Sequence, residues 1–102
     1  MDKDLVIAKL REHRDELVAD GVVSLSLFGS VARGEATDAS DVDVAVKLDM
    51  ARMRDGFGFF GDIEDLRKKL EAITGRPVDI VCEPVQKERL ARRIERDRQL
   101  AF

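Results

Sequence analysis

Residues 41–48 alternate strictly in polarity, with Val42, Val44, Val46 and Leu48 on one side and Asp41, Asp43, Ala45 and Lys47 on the other. Side chains of a β-strand point alternately to opposite faces, whereas a helix would scatter this row of valines around its circumference. The segment therefore reads as a half-buried strand, and one apolar strand face obliges the chain to supply further strands and a cover. Residues 22–28, rich in apolar and β-branched side chains, read as an earlier strand with Val23, Leu25 and Leu27 sharing one side. Residues 78–82 read as a short third strand in which Asp79 interrupts an apolar run. The cover comes from Phe59, Ile63, Leu66, Leu70 and Ile73, a helical stripe stopped by Gly75 and by Pro77 just beyond.

The flanks complete an α/β pattern. Over 4–19, Val6, Leu10 and Leu17 recur at helical spacing, and 85–100 returns to a charged helical pattern in which Leu90, Ile94 and Ala101 face the core. Residues 31–35 read as a short helical turn, and 49–58, with Gly56 and Gly58 and no period, as a loop bordering a cleft. The expected order is helix, strand, turn, strand, helix, strand, helix. At 102 residues and 44% hydrophobic content, one compact core is affordable and two are not, so residues 1–102 are expected to form a single domain.

Composition narrows the function. With a net charge of −3, nothing advertises nucleic acid, and a bound nucleotide would need a metal or a local basic cluster to offset its phosphates. A single cysteine, Cys82, excludes an internal disulfide, and one histidine leaves no Cys/His set for zinc. No signal peptide or membrane span is apparent, so a cytoplasmic protein is expected, with no membrane partner.

Asp41 and Asp43 lie two apart on one strand, which projects both carboxylates from one face with Cα atoms about 6–7 Å apart. Such a pair repels itself unless a cation intervenes, and Mg²⁺, a hard ion that takes carboxylate and phosphate oxygens, suits it. Asp79 has poor β propensity where it stands, and its charge needs compensation. If the third strand lies beside the second, Asp79 completes a three-carboxylate set able to hold two metals roughly 3.5–4 Å apart, as phosphoryl chemistry requires. Taken alone, Asp-x-Asp is equally the polar outer face of an edge strand, and Asp79 a strand-end residue pairing with Arg76 or capping a turn.

Gly29-Ser30 directly follows an apolar strand and precedes a candidate helical turn, where backbone N–H groups favour an anion. Gly29 permits close approach or positive φ, the Ser30 hydroxyl can bond a phosphate oxygen, and Arg33 can add a charged fork. Ten residues separate Ser30 from Asp41. A chance match to this spacing in so short a chain is on the order of one in a thousand from typical residue usage.

On these residues the chain resembles the MNT-type minimal nucleotidyltransferases of the DNA polymerase beta superfamily. Phe28-Gly29-Ser30-Val31-Ala32-Arg33-Gly34-Glu35 and Ser40-Asp41-Val42-Asp43-Val44-Ala45-Val46 are similar to the family's Gly-Ser and Asp-x-Asp motifs with their flanks. Gly75-Arg76-Pro77-Val78-Asp79-Ile80-Val81 is similar to its third-carboxylate strand. The resemblance implies a small mixed sheet with helices packed on it, the polymerase beta-like fold, and Mg²⁺-dependent transfer of AMP from ATP. It implies Asp41, Asp43 and Asp79 as the metal-binding, catalytic acids, and Gly29 and Ser30 as phosphate contacts. It also implies a HEPN-family toxin as partner, neutralised by adenylylation of a tyrosine. The rival readings are an antitoxin that occludes its partner without catalysis, and transfer to a small molecule.

Other features carry less. His13 reads as a surface residue and Cys82 as a small buried one. The arginines of 85–100, interleaved with Glu88, Glu95 and Asp97, read as a solvated face, the rival being a docking surface for an acidic partner. No aromatic residues accompany them, which argues against direct nucleic-acid binding.

Overall fold

The computed structural model describes residues 2–53 and 56–102. Helices α1 (Lys3–Glu12) and α2 (Arg14–Ala19) lead into β1 (Val22–Phe28), the single-turn helix α3 (Gly29–Ala32) and β2 (Val42–Leu48). Helix α4 (Phe57–Thr74), β3 (Val78–Cys82), α5 (Glu88–Asp97) and β4 (Gln99–Leu100) follow. The strands form a mixed sheet in the order β3-β2-β1-β4. β1 runs antiparallel to β2 and β4, while β3 runs parallel to β2 and so needs a long crossover, which α4 supplies. The α/β class and the mixed sheet expected from the sequence are those observed.

The two faces of the sheet are covered differently. On one, Val42, Val44, Val46, Leu25 and Leu27 are sealed beneath Val6 and Leu10 of α1, Leu17 of α2 and Leu66 and Leu70 of α4. Burial of each such side chain contributes roughly 1.5–3 kcal/mol, which makes this face the main source of stability. On the other, Phe28 and Ala45 pack against Ile94 of α5, with Val81, Val85 and Leu90 around them. The middle of β2 is therefore buried on both sides, where a half-buried strand was expected. Alanine is too weak a polarity signal to reveal a second cover, and its small side chain leaves room for Ile94.

Local departures from the expectation have local causes. The helix expected over 4–19 breaks at His13, whose N–H donates to the Leu10 carbonyl at 3.1 Å, so that α1 lies against α4 and α2 against β1. In β1 the register slips between Val22, opposite Leu48, and Ser24, opposite Lys47. That bulge turns Val22 into the core and leaves Val23 60% exposed, although Val23 was expected to share the side of Leu25 and Leu27, which are buried. β2 starts at Val42, one residue later than expected, and α4 starts at Phe57, inside the loop expected over 49–58. Arg54 and Asp55 of that loop lie outside the described residues.

The final helix ends at Asp97 instead of running to residue 100. Arg98 leaves helical geometry with ψ 124°, and the chain becomes a short edge strand on β1. The Ala101 N–H donates to the Leu25 carbonyl at 2.8 Å, and the Leu25 N–H to the Phe102 carbonyl at 3.0 Å. The turn is held by Arg98, which forks onto Glu83 at 2.9 and 2.7 Å and reaches the Ser26 hydroxyl at 3.0 Å. Among the described residues no helix is long and apolar enough to cross a membrane.

Candidate active site

Because Val42, Val44 and Val46 fill the α1/α4 side, Asp43 and Ala45 point to the side on which α5 packs. Asp43 sits opposite Phe28 on β1 and opposite Asp79 on β3. Adjacent strands lie about 4.8 Å apart, so Asp43 and Asp79 are lateral neighbours on one face. Asp41, two residues before Asp43 and just outside β2, is exposed, as is Asp79, while Asp43 is half-buried. The fold therefore brings the three sequence-derived acids to one end of one sheet face.

The electrostatics of Asp43 reflect that company. Burial raises its carboxyl above the ordinary value, and the charges of Asp79 and then Asp41 push it further the same way. Arg93 and Arg33 pull it back. Among the described residues, no group of three or more His, Cys, Asp or Glu side chains is gathered so as to hold a metal ion. Like charges keep apart, and the backbone fixes the Asp43–Asp79 adjacency while leaving the exposed acids free to rotate.

Gly29 is required by Asp43. Its φ is +74°, and a Cβ there would stand 3.2 Å from Asp43 Cγ and still closer to Oδ2. Close approach was expected at this glycine, and the group that approaches is the Asp43 carboxylate. Helix α3 starts at Gly29 itself and is one turn long, so its first N–H groups have no intrahelical acceptor. Ser30 is half-buried on that turn, and among the described residues its hydroxyl makes no hydrogen bond.

Arg33, expected as a charged fork, is already engaged. Its Nε donates to Glu35 at 3.0 Å and its Nη1 to Asp97 at 2.8 Å. Asp97 is only 6% exposed and also accepts from Arg96 Nε at 2.9 Å. Arg96 and Arg33 together hold its carboxyl down to about 2. This clamp ties the C-terminal end of α5 to the turn that carries Gly29 and Ser30. Sequence reading placed Asp97 on a solvated face, because nothing local distinguishes it from Glu88 or Glu95. Arg93, one turn before Asp97, was placed there too, and only the packing of Ile94 brings it towards Asp43.

Comparison with known proteins agrees with this architecture. The family model described as nucleotidyltransferase domain matches residues 7–101. Protein adenylyltransferase MntA of Thermococcus cleftensis is 35% identical over 89 residues, covering 86% of this chain and 84% of that protein. A solved structure of a minimal nucleotidyltransferase is similar with a TM-score of 0.73 at 36% identity, over 97% of this chain and 95% of that one. A chain from the complex of the tri-AMPylated Shewanella oneidensis HEPN toxin with MNT antitoxin gives a TM-score of 0.62. At 20% identity, over 98% of this chain and 71% of that one, this last is a likeness of fold.

Proposed function

The chain belongs to the nucleotidyltransferase domain family, and from that premise we propose a Mg²⁺-dependent protein adenylyltransferase that moves AMP from ATP to a tyrosine hydroxyl of a HEPN-type toxin, acting as its antitoxin. The observation that carries the chemistry is Asp43, half-buried between Gly29 and Asp79 with Asp41 close by. The protein acceptor is supported by the named activity of the Thermococcus cleftensis relative, and the HEPN partner by the complex of similar fold. Residues 1–102 work as one domain in the cytoplasm, where the unpaired Cys82 stays reduced.

Asp41, Asp43 and Asp79 supply hard oxygen donors of the kind Mg²⁺ takes, and they would hold it. Bound there, as one ion or two, it would offset the triphosphate charge and the charge developing in transfer. The chain's own part is positioning. The N–H groups of α3 and the Ser30 hydroxyl receive phosphate oxygens, and Arg33 turns its Nη2 edge, unused by Glu35 and Asp97, to the same anion. The acceptor oxygen then bonds to the α-phosphorus as the bond to the bridging oxygen breaks and pyrophosphate leaves. Asp79, beside Asp43, either completes the metal site or, with the metal held by Asp41 and Asp43, accepts the hydroxyl proton.

The test is transfer of label from α-labelled ATP, with Mg²⁺, to the product of the neighbouring gene. Label on a tyrosine of that protein, lost with Asp43→Asn, is expected. Absence of label from wild type under these conditions overturns the enzymatic reading. Survival of neutralisation in cells when Asp41 and Asp43 are both changed to Asn would establish occlusion instead.

A further inference from the structure

The site described so far is short of free positive charge. Three carboxylates stand at one end of the same sheet face, a triphosphate brings several more negative charges, and most nearby cations are committed. Arg33 is balanced by Glu35 and Asp97, and Arg96 by the same Asp97. Arg98 is held by Glu83 and Glu95, and Arg92 by Glu88. Arg93 differs from these. Among the described residues its guanidinium makes no hydrogen bond and no ion pair, and it is exposed.

Its placement is fixed by its neighbours. Ile94, the next residue, is 1% exposed and locks α5 onto Phe28 and Ala45. Phe28 pairs with Asp43, and Ala45 follows Asp43 on the same strand face. Four residues on, Asp97 is pinned to Arg33 at 2.8 Å, and residues four apart on a helix lie one above the other. Arg93 therefore stands at the rim of α5 between two anchored points, facing the acid end of the sheet. The charges of Arg93 and Arg33 both pull the Asp43 carboxyl back towards its ordinary value, and Arg89 lies one turn earlier on α5, further from the Asp97 anchor.

We propose that Arg93 is a phosphate-binding residue of the nucleotide site, its guanidinium forking onto the triphosphate beside Asp43 and supplying the net positive charge that the clamped Arg33 no longer carries. This rests on the nucleotidyltransferase reading above. α5 thus both covers the sheet with Ile94 and delivers a ligand-binding cation with Arg93. A planar fork recognises phosphate oxygens in pairs, which an ammonium group does not.

The experiment is calorimetric titration of the full chain with a non-hydrolysable ATP analogue and Mg²⁺, comparing wild type with Arg93→Gln, Arg93→Lys and Arg89→Gln. Arg93→Gln is expected to weaken binding about 10–100-fold, the scale of a lost charge-assisted contact, with Arg93→Lys between it and wild type. Arg89→Gln, which removes the same charge from the same helix, should bind as wild type does. Melting curves should show all three variants folded, because neither side chain is buried or paired, with Arg93→Gln alone slightly lower where Asp43 is ionised, since Arg93 pulls that carboxyl back towards its ordinary value. Equal binding by wild type and Arg93→Gln, or equal weakening by Arg89→Gln, overturns the assignment and leaves the proposed function standing. Failure of wild type to bind the analogue overturns both.

Discussion

Gly29 and Gly34 provide a matched pair of perturbations, since both have φ near +74° and only Gly29 has a neighbour where a Cβ would stand. A non-glycine residue in that left-handed region costs about 1–2 kcal/mol, so Gly29→Ala and Gly34→Ala should lose similar backbone stability. For a domain of this size, 1 kcal/mol corresponds to roughly 4–8 °C, and each variant should melt about 4–15 °C below wild type. They part at the active site. The Cβ at residue 34 enters open space, whereas the Cβ at residue 29 falls 3.2 Å from Asp43 Cγ and within contact of Oδ2. Asp43 ends a side chain with rotational freedom, so the carboxylate swings away while the backbone stays in place. Misplacing a reacting group by about 1 Å can cost roughly a hundredfold in rate. Single-turnover transfer of labelled AMP, run below the melting range of both variants, should therefore show Gly34→Ala close to wild type and Gly29→Ala down about a hundredfold. If Gly29→Ala stays within threefold of Gly34→Ala, the Asp43 carboxylate does not need its present position and the argument built on Gly29 fails.

Further outcomes follow from the same structure. The raised Asp43 carboxyl destabilises the fold wherever it is ionised, so Asp43→Asn in EDTA should melt above wild type at pH 8. That gap should close as pH falls through the raised value, and a variant melting below wild type at pH 8 would contradict it. Asp97 has the opposite sign. Its carboxyl, held at about 2 against a usual 3.8, contributes stability above the usual value that is lost as pH falls towards 2. After allowance for the exposed Arg96 partner, Asp97→Asn should lose about 1–2 kcal/mol at pH 7 in chemical denaturation and almost nothing at pH 2. Ile94→Ala should lose roughly 2–4 kcal/mol and weaken nucleotide binding with it, because Ile94 seats the helix that carries Arg93. Full stability in that variant would mean that α5 is held elsewhere.

Patterns that repeat locally made much of this protein legible in its sequence. The valine row of β2, the apolar stripe of α4 and the Gly75 terminator each carry their signal within a few residues, and the corresponding elements appear in place. The misses are non-local. No residue near His13 announces a helix break, which comes from α1 and α2 packing on different elements. The register slip that exposes Val23 depends on the partner strand, and β4 exists because Ser26 and Leu27 pair with Leu100 and Gln99, with Leu25 bonding residues 101 and 102 just beyond. Gly29, Ser30 and the acids could be named from spacing. Arg93 and Asp97 could not, since a helix full of alternating charges gives no sign of which charge meets the sheet.

Among the ordinary explanations open from the sequence, the structure speaks against an edge-strand face for Asp-x-Asp and against an Arg76 partner for Asp79. Asp-x-Asp could have been the polar outer face of an edge strand, but β2 is interior, flanked by β1 and β3, and Asp43 is half-buried. Asp79 could have paired with Arg76, but the Arg76 guanidinium is taken by the carbonyl and carboxylate of Asp38 on the neighbouring loop. A polar face built for solubility would spread its charges and tolerate a side chain at residue 29. This one sets Asp43 beside Asp79, half-buries it, and leaves out the Cβ of residue 29 to make room. Each step raises the cost of keeping Asp43 ionised. Arg93, without an ion-pair partner among the described residues, offsets that cost only in part, for the carboxyl stays above its ordinary value. A carboxylate placed where the fold is worse for having it is of the kind that a bound cation compensates, which is the role the proposed function gives to Asp43.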